Sequence, residues 1–537
     1  MTEKEFNLID EPWIKVINMQ GREEEVSLLD FYKRAHQFKT LAGELPTQDV
    51  AVLRLLLAIL YAVFTRVDTD GNAAGITSTD EALERWKRLW GMGIFPYQAI
   101  EQYLRYYEER FYLFHPETPF YQVAGLTTSD KKINPIAQVV ADVPSRIERR
   151  FFTTKCGNSA QQLSFAEAAR WLINLQAWDY AGKKASTIGG SPNGGGTGWL
   201  GKLGVVYAKQ QNMFETLLLN MILLDRDGQL LATATPIWEQ KPKTVTKLDL
   251  RPNGYIELLT WQSRRIQLFK ENDAVIGVLS SYGDVFDKEN TFVEQMSGWH
   301  KSTEKKASDK YIPNLHSSSR SMWRDLESIL PQTDGSVEGN VAPGIVIWAA
   351  VLKTYGCINF DRVNINAVGS EYGAMQGVVN EIIADSLSLN INILTNLGKP
   401  WLIRIFDNIK ITDQCVWQLG TLAYELAAAS GNDDTSSKKG ISATAREQAY
   451  FSLDIPFRNW LARINPETDE LDKTMFVWLE QMKKIILRQG EQLVKDAGEK
   501  AFIGIYKKDA NKGVTTIETA PKAYLKFKAS INKIIRG

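Results

Sequence analysis

The run Leu55–Phe64 (LLLAILYAVF) carries no charge, and Arg54 stands directly before it. A bilayer core takes about 20 apolar residues to cross as helix, so this run is too short to span one. It reads as a helix buried on all sides. Such a helix needs neighbours on every face, which limits the chain to folds with a core deep enough to enclose it. Pro46-Thr47-Gln48-Asp49 opens the helix, with Thr47 as its expected cap and Asp49 suited to the first turn. A chain of 537 residues supplies such a core without staples. At about 100–200 residues per domain it suggests two to four domains.

Around that helix the pattern is mixed. Phe6–Leu8, Trp13–Val16 and Glu25–Leu28 read as short strands, with Gly21 as a turn. Helices are expected at Thr79–Trp90, Tyr97–Phe111 and Ser164–Trp178, the last with apolar residues at helical spacing. Phe114–Gln122 is a Pro-punctuated turn, and 124–160 is mixed and loop-like. Gly182–Gly204 is Gly- and Lys-rich and reads as a long loop, a class that is usually functional or disordered. Strand-like segments dominate 215–300, including Tyr255–Leu259 and Arg265–Leu268, and 298–321 reads as a polar, basic loop. Pro331–Asn340 reads as a linker, followed by strands at Gly344–Val351 and Arg362–Val368. From about Gly377 the pattern turns helical: Val378–Leu394, Thr412–Ala429, Ser442–Ile464, Glu467–Lys495 and Lys522–Ile535, with Gly431–Gly440 as a polar separator. The expected class is α+β, a mixed region over 1–380 and a helical bundle over 381–537.

Hydrophobic residues are 44% and charged residues 23%, which excludes wholesale disorder. Lys+Arg and Asp+Glu are both 63. That balance argues against a protein that coats nucleic acid by bulk charge, because such binding scales with phosphate contacts. The three cysteines (Cys156, Cys357, Cys415) and four histidines (His36, His115, His300, His316) are scattered, so neither a disulfide framework nor a structural zinc site is expected. Met1–Asp10 is charged and lacks an apolar signal core. These features lead to the expectation of a soluble cytoplasmic protein with no metal, no cofactor and no membrane partner.

Gly196-Thr-Gly-Trp-Leu-Gly201-Lys202 satisfies G-x-x-x-x-G-K, but Leu203 stands where a nucleotide-binding loop needs Ser or Thr for magnesium. A nucleotide-dependent ATPase is the enzymatic alternative; the other reading is a loop that packs by its glycines. No G-x-S-x-G or H-E-x-x-H is present, so a binding or scaffold role is favoured over catalysis. Charge is distributed unevenly. Between Arg146 and Lys209 nine basic residues face three acidic ones, interleaved with Phe151, Phe152, Trp178, Tyr180 and Trp199. Cations with exposed aromatics suit backbone tracking and base stacking; the competing reading is core aromatics beside a solvated basic face.

An ordered set of segments resembles one family: Phe6–Val16 (FNLIDEPWIKV), Leu41–Leu60 (LAGELPTQDVAVLRLLLAIL), Phe114–Val123 (FHPETPFYQV), Asn174–Ser186 (NLQAWDYAGKKAS), Gly195–Val206 (GGTGWLGKLGVV), Trp261–Ile266 (WQSRRI) and Tyr372–Gly377 (YGAMQG). The family is the large subunit (CasA) of the type I-E CRISPR surveillance complex, Cascade. The resemblance implies a non-catalytic subunit of an antiviral ribonucleoprotein, with a mixed α/β domain followed by a four-helix bundle. It implies recognition of the short protospacer-adjacent motif (PAM) in double-stranded DNA, initiation of the R-loop, and recruitment of a helicase-nuclease. Its implied partners are guide RNA and the other Cascade subunits. By position it implies a minor-groove glycine loop at Gly182, Lys183 and Lys184, and a glutamine wedge at Gln376 between Met375 and Gly377. It further implies a lysine finger at Lys288 and a loop contacting guide RNA and neighbouring subunits at Phe151, Phe152 and Thr153. A purely structural scaffold subunit is the remaining alternative.

Overall fold

The computed structural model describes residues 4–141, 143, 155–192, 194–232, 234–304, 309–331, 339–508 and 515–536. They divide into two units, one reaching to Ser386 and the other beginning at Leu387. The first mixes strands and helices; the second is helix-rich.

The apolar run lies in helix Pro46–Phe64, where every residue from Val50 to Phe64 is buried. By length and composition alone this helix could cross a membrane, but 94% of its apolar window is covered by protein. Its start corrects the expected cap. Pro46 takes the first turn, Leu45 stands at the cap without a side-chain bond, and Thr47 lies inside the helix. Gln48 and Asp49 reach back instead: Asp49 Oδ1 accepts from the Gly43 N–H at 2.7 Å, and Gln48 Oε1 from the Glu44 N–H at 3.0 Å. A buried charge is tolerated only when paired. Arg54 accordingly donates to both Glu294 carboxylate oxygens (2.9 and 3.0 Å) and to the Leu258 carbonyl (3.1 Å). Against this helix packs Phe165–Trp178, started by a reciprocal Ser164–Glu167 capping box.

Three sheets of the first unit frame its loops. Strand Arg362–Tyr372 lies between Val205–Lys209 and Val379–Asn390. The antiparallel strands Arg264–Glu271 and Ala274–Tyr282 pair in a hairpin, with Asn134–Pro135 added at its edge. Trp299–Lys301 pairs with Tyr311–Pro313 and Asn340–Val341, so the expected loop 298–321 contains two short strands.

Other expectations change for identifiable reasons. Tyr255–Leu259 and Gly344–Thr354 are helices, not strands. A continuous apolar run such as GIVIWAAVL does not distinguish the two by periodicity. Val379–Asn390 is a strand where a helix was expected, because its backbone is taken up by pairing with Arg362–Tyr372. Met213–Asn220 is a helix within the strand-like region. The separator Gly431–Gly440 is partly helical, since Asp434 caps helix Thr435–Arg463 by accepting from Ser436 and Ser437. Most of the expected linker Pro331–Asn340 lies outside the described residues.

In the second unit, helix Lys399–Ala429 packs against Thr435–Arg463, Leu471–Asp496 and Ala520–Arg536. Phe457, Trp460 and Trp478 cluster in the interior, with ring centroids 4.9–5.6 Å apart. Trp478 Nε1 donates to Thr412 Oγ1 at 3.0 Å, giving that buried indole its partner.

Candidate nucleic-acid interface

Strands Arg362–Tyr372 and Val379–Asn390 meet at a tight tip. The Gly373 N–H donates to Val378 O (2.9 Å) and the Gln376 N–H to Gly373 O (2.9 Å). Met375 and Gln376 both sit in the left-handed region, at φ 52° and 54°. That conformation costs non-glycine residues roughly 1–3 kcal/mol each and persists only where surroundings impose it. Here the tip is tied from outside: the Ala181 N–H donates to the Gln376 carbonyl at 2.8 Å. The Met375 side chain is 94% exposed. On the Gln376 side, Oε1 faces Gly196, where a Cβ would stand 3.3 Å away.

Ala181 belongs to the loop that follows helix Phe165–Trp178. At Gly182 a Cβ would lie 2.2 Å from the Tyr180 ring, so a larger residue there displaces the tyrosine. The Lys184 ammonium lies over the same ring (4.0 Å) and pairs with Asp179 at 2.7 Å. Asp179 also pairs with Arg264, whose guanidinium donates to Tyr180 O (3.0 Å) and Gly196 O (2.9 Å). One buried arginine thus holds two loops together. Burial raises the Asp179 pKa, but Lys184 and Arg264 outweigh it and keep the carboxyl below the usual carboxylate range. The two loop lysines therefore differ: Lys183 is exposed, whereas the Lys184 side chain is only 7% exposed and engaged with Asp179.

The glycine stretch after this loop packs by close approach. A Cβ on Gly198 would meet the Ala177 carbonyl at 2.4 Å, and one on Gly201 would meet the Tyr372 hydroxyl at 2.4 Å. That hydroxyl donates to Trp178 O at 2.6 Å. The G-x-x-x-x-G-K run leads into strand Val205–Lys209, not a helix. Three of its amides are occupied: Gly198 donates to Asp179 O (2.8 Å), Trp199 to Ser263 Oγ (3.1 Å) and Lys202 to Trp199 O (3.1 Å). A phosphate-cradling loop needs free amides at a helix N-terminus, so the ATPase alternative has no structural basis here. Lys202 closes the turn Leu200–Lys202. Burial, together with nearby Arg264 and Lys288, lowers its pKa to about 8, with Asp287 opposing.

The structure thus brings Gly182, Lys183, Lys184, Met375, Gln376 and Gly377 onto two adjoining loops of the first unit, whereas Lys288 is placed only near Lys202 of the glycine stretch. Phe151, Phe152 and Thr153 lie outside the described residues. Sequence reasoning missed Asp179 and Arg264 as organisers. The available signal was the adjacent pair Arg264-Arg265 among buried neighbours; Arg265 pairs with Asp284 beneath the same region. Among the described residues, no group of three or more His, Cys, Asp and Glu is placed to hold a metal ion.

Comparison with known proteins identifies the family. The family model described as CRISPR-associated protein Cse1 matches residues 7–489. The CRISPR-associated protein CasA/Cse1 of Thermus thermophilus is 29% identical over 343 residues, a match spanning 62% of this chain and 62% of that protein's length. Cse1 of Thermobifida fusca has a similar structure, with TM-score 0.85, 33% identity, and 99% and 98% of the two chains covered. Cse1 from Acidimicrobium ferrooxidans shares the fold at TM-score 0.79 and 24% identity, covering 100% and 98%. The family match runs through the buried helix, both loops and the hairpin tip, and the chain belongs to the Cse1 (CasA) family of CRISPR-associated proteins.

Proposed function

We propose that this chain is the large subunit of a type I-E Cascade complex and reads the PAM of double-stranded DNA without catalysing a reaction. The observation that carries the reading is the Ala181–Gln376 hydrogen bond, which makes the Gly182 loop and the hairpin tip one element. A residue without Cβ lets backbone approach a groove closely. The minor groove offers a degenerate donor–acceptor pattern that suits permissive motif reading. Gln376 then enters the base stack below the motif as a wedge, offsetting an unstacking cost of a few kcal/mol. The strained tip favours this role, because a wedge must not fold away under load. Sequence beyond the motif is left to guide-RNA pairing. In this reading Lys183 contacts phosphate, Lys288 reaches toward the groove, and Phe151–Thr153 contact guide RNA and neighbouring subunits. The helix-rich unit serves as a four-helix bundle for assembly, and the separated strands recruit the helicase-nuclease.

The test is a PAM-library binding assay on the reconstituted complex, with this chain present and omitted. The reading expects motif-dependent capture only when the chain is present. Equal capture without it would reduce the chain to a scaffold.

A further inference from the structure

A polar cavity of about 420 Å³ opens beneath the loop that carries Gly182. Lys183 and Ser186 of that loop line it together with Ser129 and Lys132, and all four are exposed, so its mouth faces solvent. Two backbone ties fix its walls: the Ala185 N–H donates to Ser280 O at 3.0 Å, and Thr128 bridges Thr187. Buried Val139, Leu175 and Leu279 give it an apolar side. Ser280 Oγ is buried in the lining with no hydrogen-bond partner. The Asn134 and Gln138 amides, both half-buried in the lining, also bond to no side chain or backbone group among the described residues. Orphaned polar atoms are costly, and a ligand that pairs them removes that cost. The charges of the lining are nearly balanced. Asp179 is paired with Lys184 at 2.7 Å and Asp130 with Lys132 at 3.6 Å, which leaves Lys183 at the mouth as the cation without a carboxylate among the described residues. Such a lining suits a neutral group with a polar edge inside and one phosphate at the mouth.

We propose that this cavity receives one nucleobase of the displaced DNA strand, the first beyond the PAM. This rests on the DNA reading above and says where the opened strand goes. A wedge at one step unpairs and unstacks the bases beside it. The target-strand base finds a new partner in guide RNA; the displaced base finds none. The cavity lies under the loop whose Ala181 is bonded to Gln376, so wedge and cavity belong to one element. Proteins that extrude a base hold it against apolar side chains and hydrogen-bond its edge. Here Val139, Leu175 and Leu279 supply the apolar contact, and Asn134, Gln138 and Ser280 the hydrogen bonds. Amides and hydroxyls both donate and accept, so the seat takes any of the four bases and adds no sequence preference. Holding the displaced base opposes re-annealing at the step where opening begins.

The test places 2-aminopurine at that position of the displaced strand, in the complex reconstituted with guide RNA and a PAM-bearing duplex, and measures quenching by acrylamide. The seat shields the base, so quenching in wild type should be several-fold weaker than for the same probe in the middle of the displaced strand. Gln138→Ala and Ser280→Val should each raise quenching and shorten the R-loop lifetime about threefold to tenfold, the loss of one hydrogen bond. With an abasic nucleotide at the same position, wild type and Gln138→Ala should have equal lifetimes. Equal quenching at the two probe positions in wild type would overturn the proposal, whatever the variants do. Unchanged lifetimes in both variants would overturn it too, as would a Gln138→Ala defect that persists on abasic DNA. Shielding of a probe in guide RNA before DNA is added, with the displaced base left unshielded, would give the cavity to RNA and reject the proposal. If the wild-type complex shows no PAM-dependent capture, the DNA reading itself falls; if capture and opening are intact but the displaced base stays quenchable, only the base seat falls.

Discussion

The two units are built on different physics. In the first unit, much of the chain is neither helix nor strand, and buried arginines tie its segments together: Arg54 with Glu294, Arg170 with Glu25 and Glu44, Arg264 with Asp179, Arg265 with Asp284. In the helix-rich unit the interior is apolar and aromatic, and pairs such as Arg404–Asp472 sit at the surface. A helix repeats one geometry, so an apolar stripe suffices to place it. A loop has no such repeat, and directional charge-assisted bonds must specify it. The contrast teaches that the region read here as functional is also the region whose shape depends on a few polar atoms.

The largest expected effect breaks that dependence. Arg264→Met leaves Asp179 with Lys184 alone and frees two loop carbonyls, which should cost about 3–5 kcal/mol. Arg404→Ala at the exposed pair should cost about 1 kcal/mol or less. Native-state hydrogen exchange, read separately on Phe165–Trp178 and Lys399–Ala429, compares them; equal costs would dissolve the contrast.

The next effect concerns function at the tip. Gln376→Ala should slow R-loop formation by about tenfold or more while sparing initial duplex capture, since the wedge acts when bases unstack. Gln376→Gly should show the same defect yet relieve about 1 kcal/mol of backbone strain. Stopped-flow base-analogue fluorescence separates capture from opening; equal loss of both steps would remove the wedge role.

A smaller effect splits the adjacent lysines. Lys183→Ala should weaken DNA binding and reduce the salt slope by about one unit. Lys184→Ala should instead loosen the loop, because it removes one of the two cations on Asp179. Affinity measured across a salt series, beside hydrogen exchange of residues 179–186, distinguishes them; a reduced salt slope in Lys184→Ala with unaltered exchange would reverse the assignment.

The smallest concerns pH. Burial is the main cause that pushes the Asp49 pKa up to about 6. The unfolded chain ionises near pH 4, so it releases this proton first, and Asp49 subtracts stability as pH rises from about 4 to 6. Asp49→Asn should flatten that decline, measured by exchange from helix Pro46–Phe64. A wild-type profile rising through this window would contradict the sign.

What was legible in the sequence follows the same division. The buried helix, the opening strands and the capped helix ending at Trp178 are visible because periodicity and caps are local signals. The residues of YGAMQG were singled out, but Val379–Asn390 was read as helix, since its strand state is set by a partner strand and not by its own spacing. Ala181 and Gln376 are far apart in sequence, and nothing in either segment announces the hydrogen bond that joins them. Lys184 was grouped with Lys183 because adjacency is visible, whereas burial against Asp179 is a tertiary property. The pairing of Asp179 with Arg264 was not legible because a paired charge looks in sequence like any other charge.

The most direct test of the central claim is to place a photo-crosslinking side chain at Met375, the exposed residue of the tip, and assemble the complex with guide RNA and a PAM-bearing target duplex. The account predicts crosslinks to DNA at or next to the PAM, weakened when Gly182→Val displaces Tyr180 and disturbs the loop tied to the tip. Crosslinks confined to guide RNA or to neighbouring subunits, with the duplex bound, would contradict it.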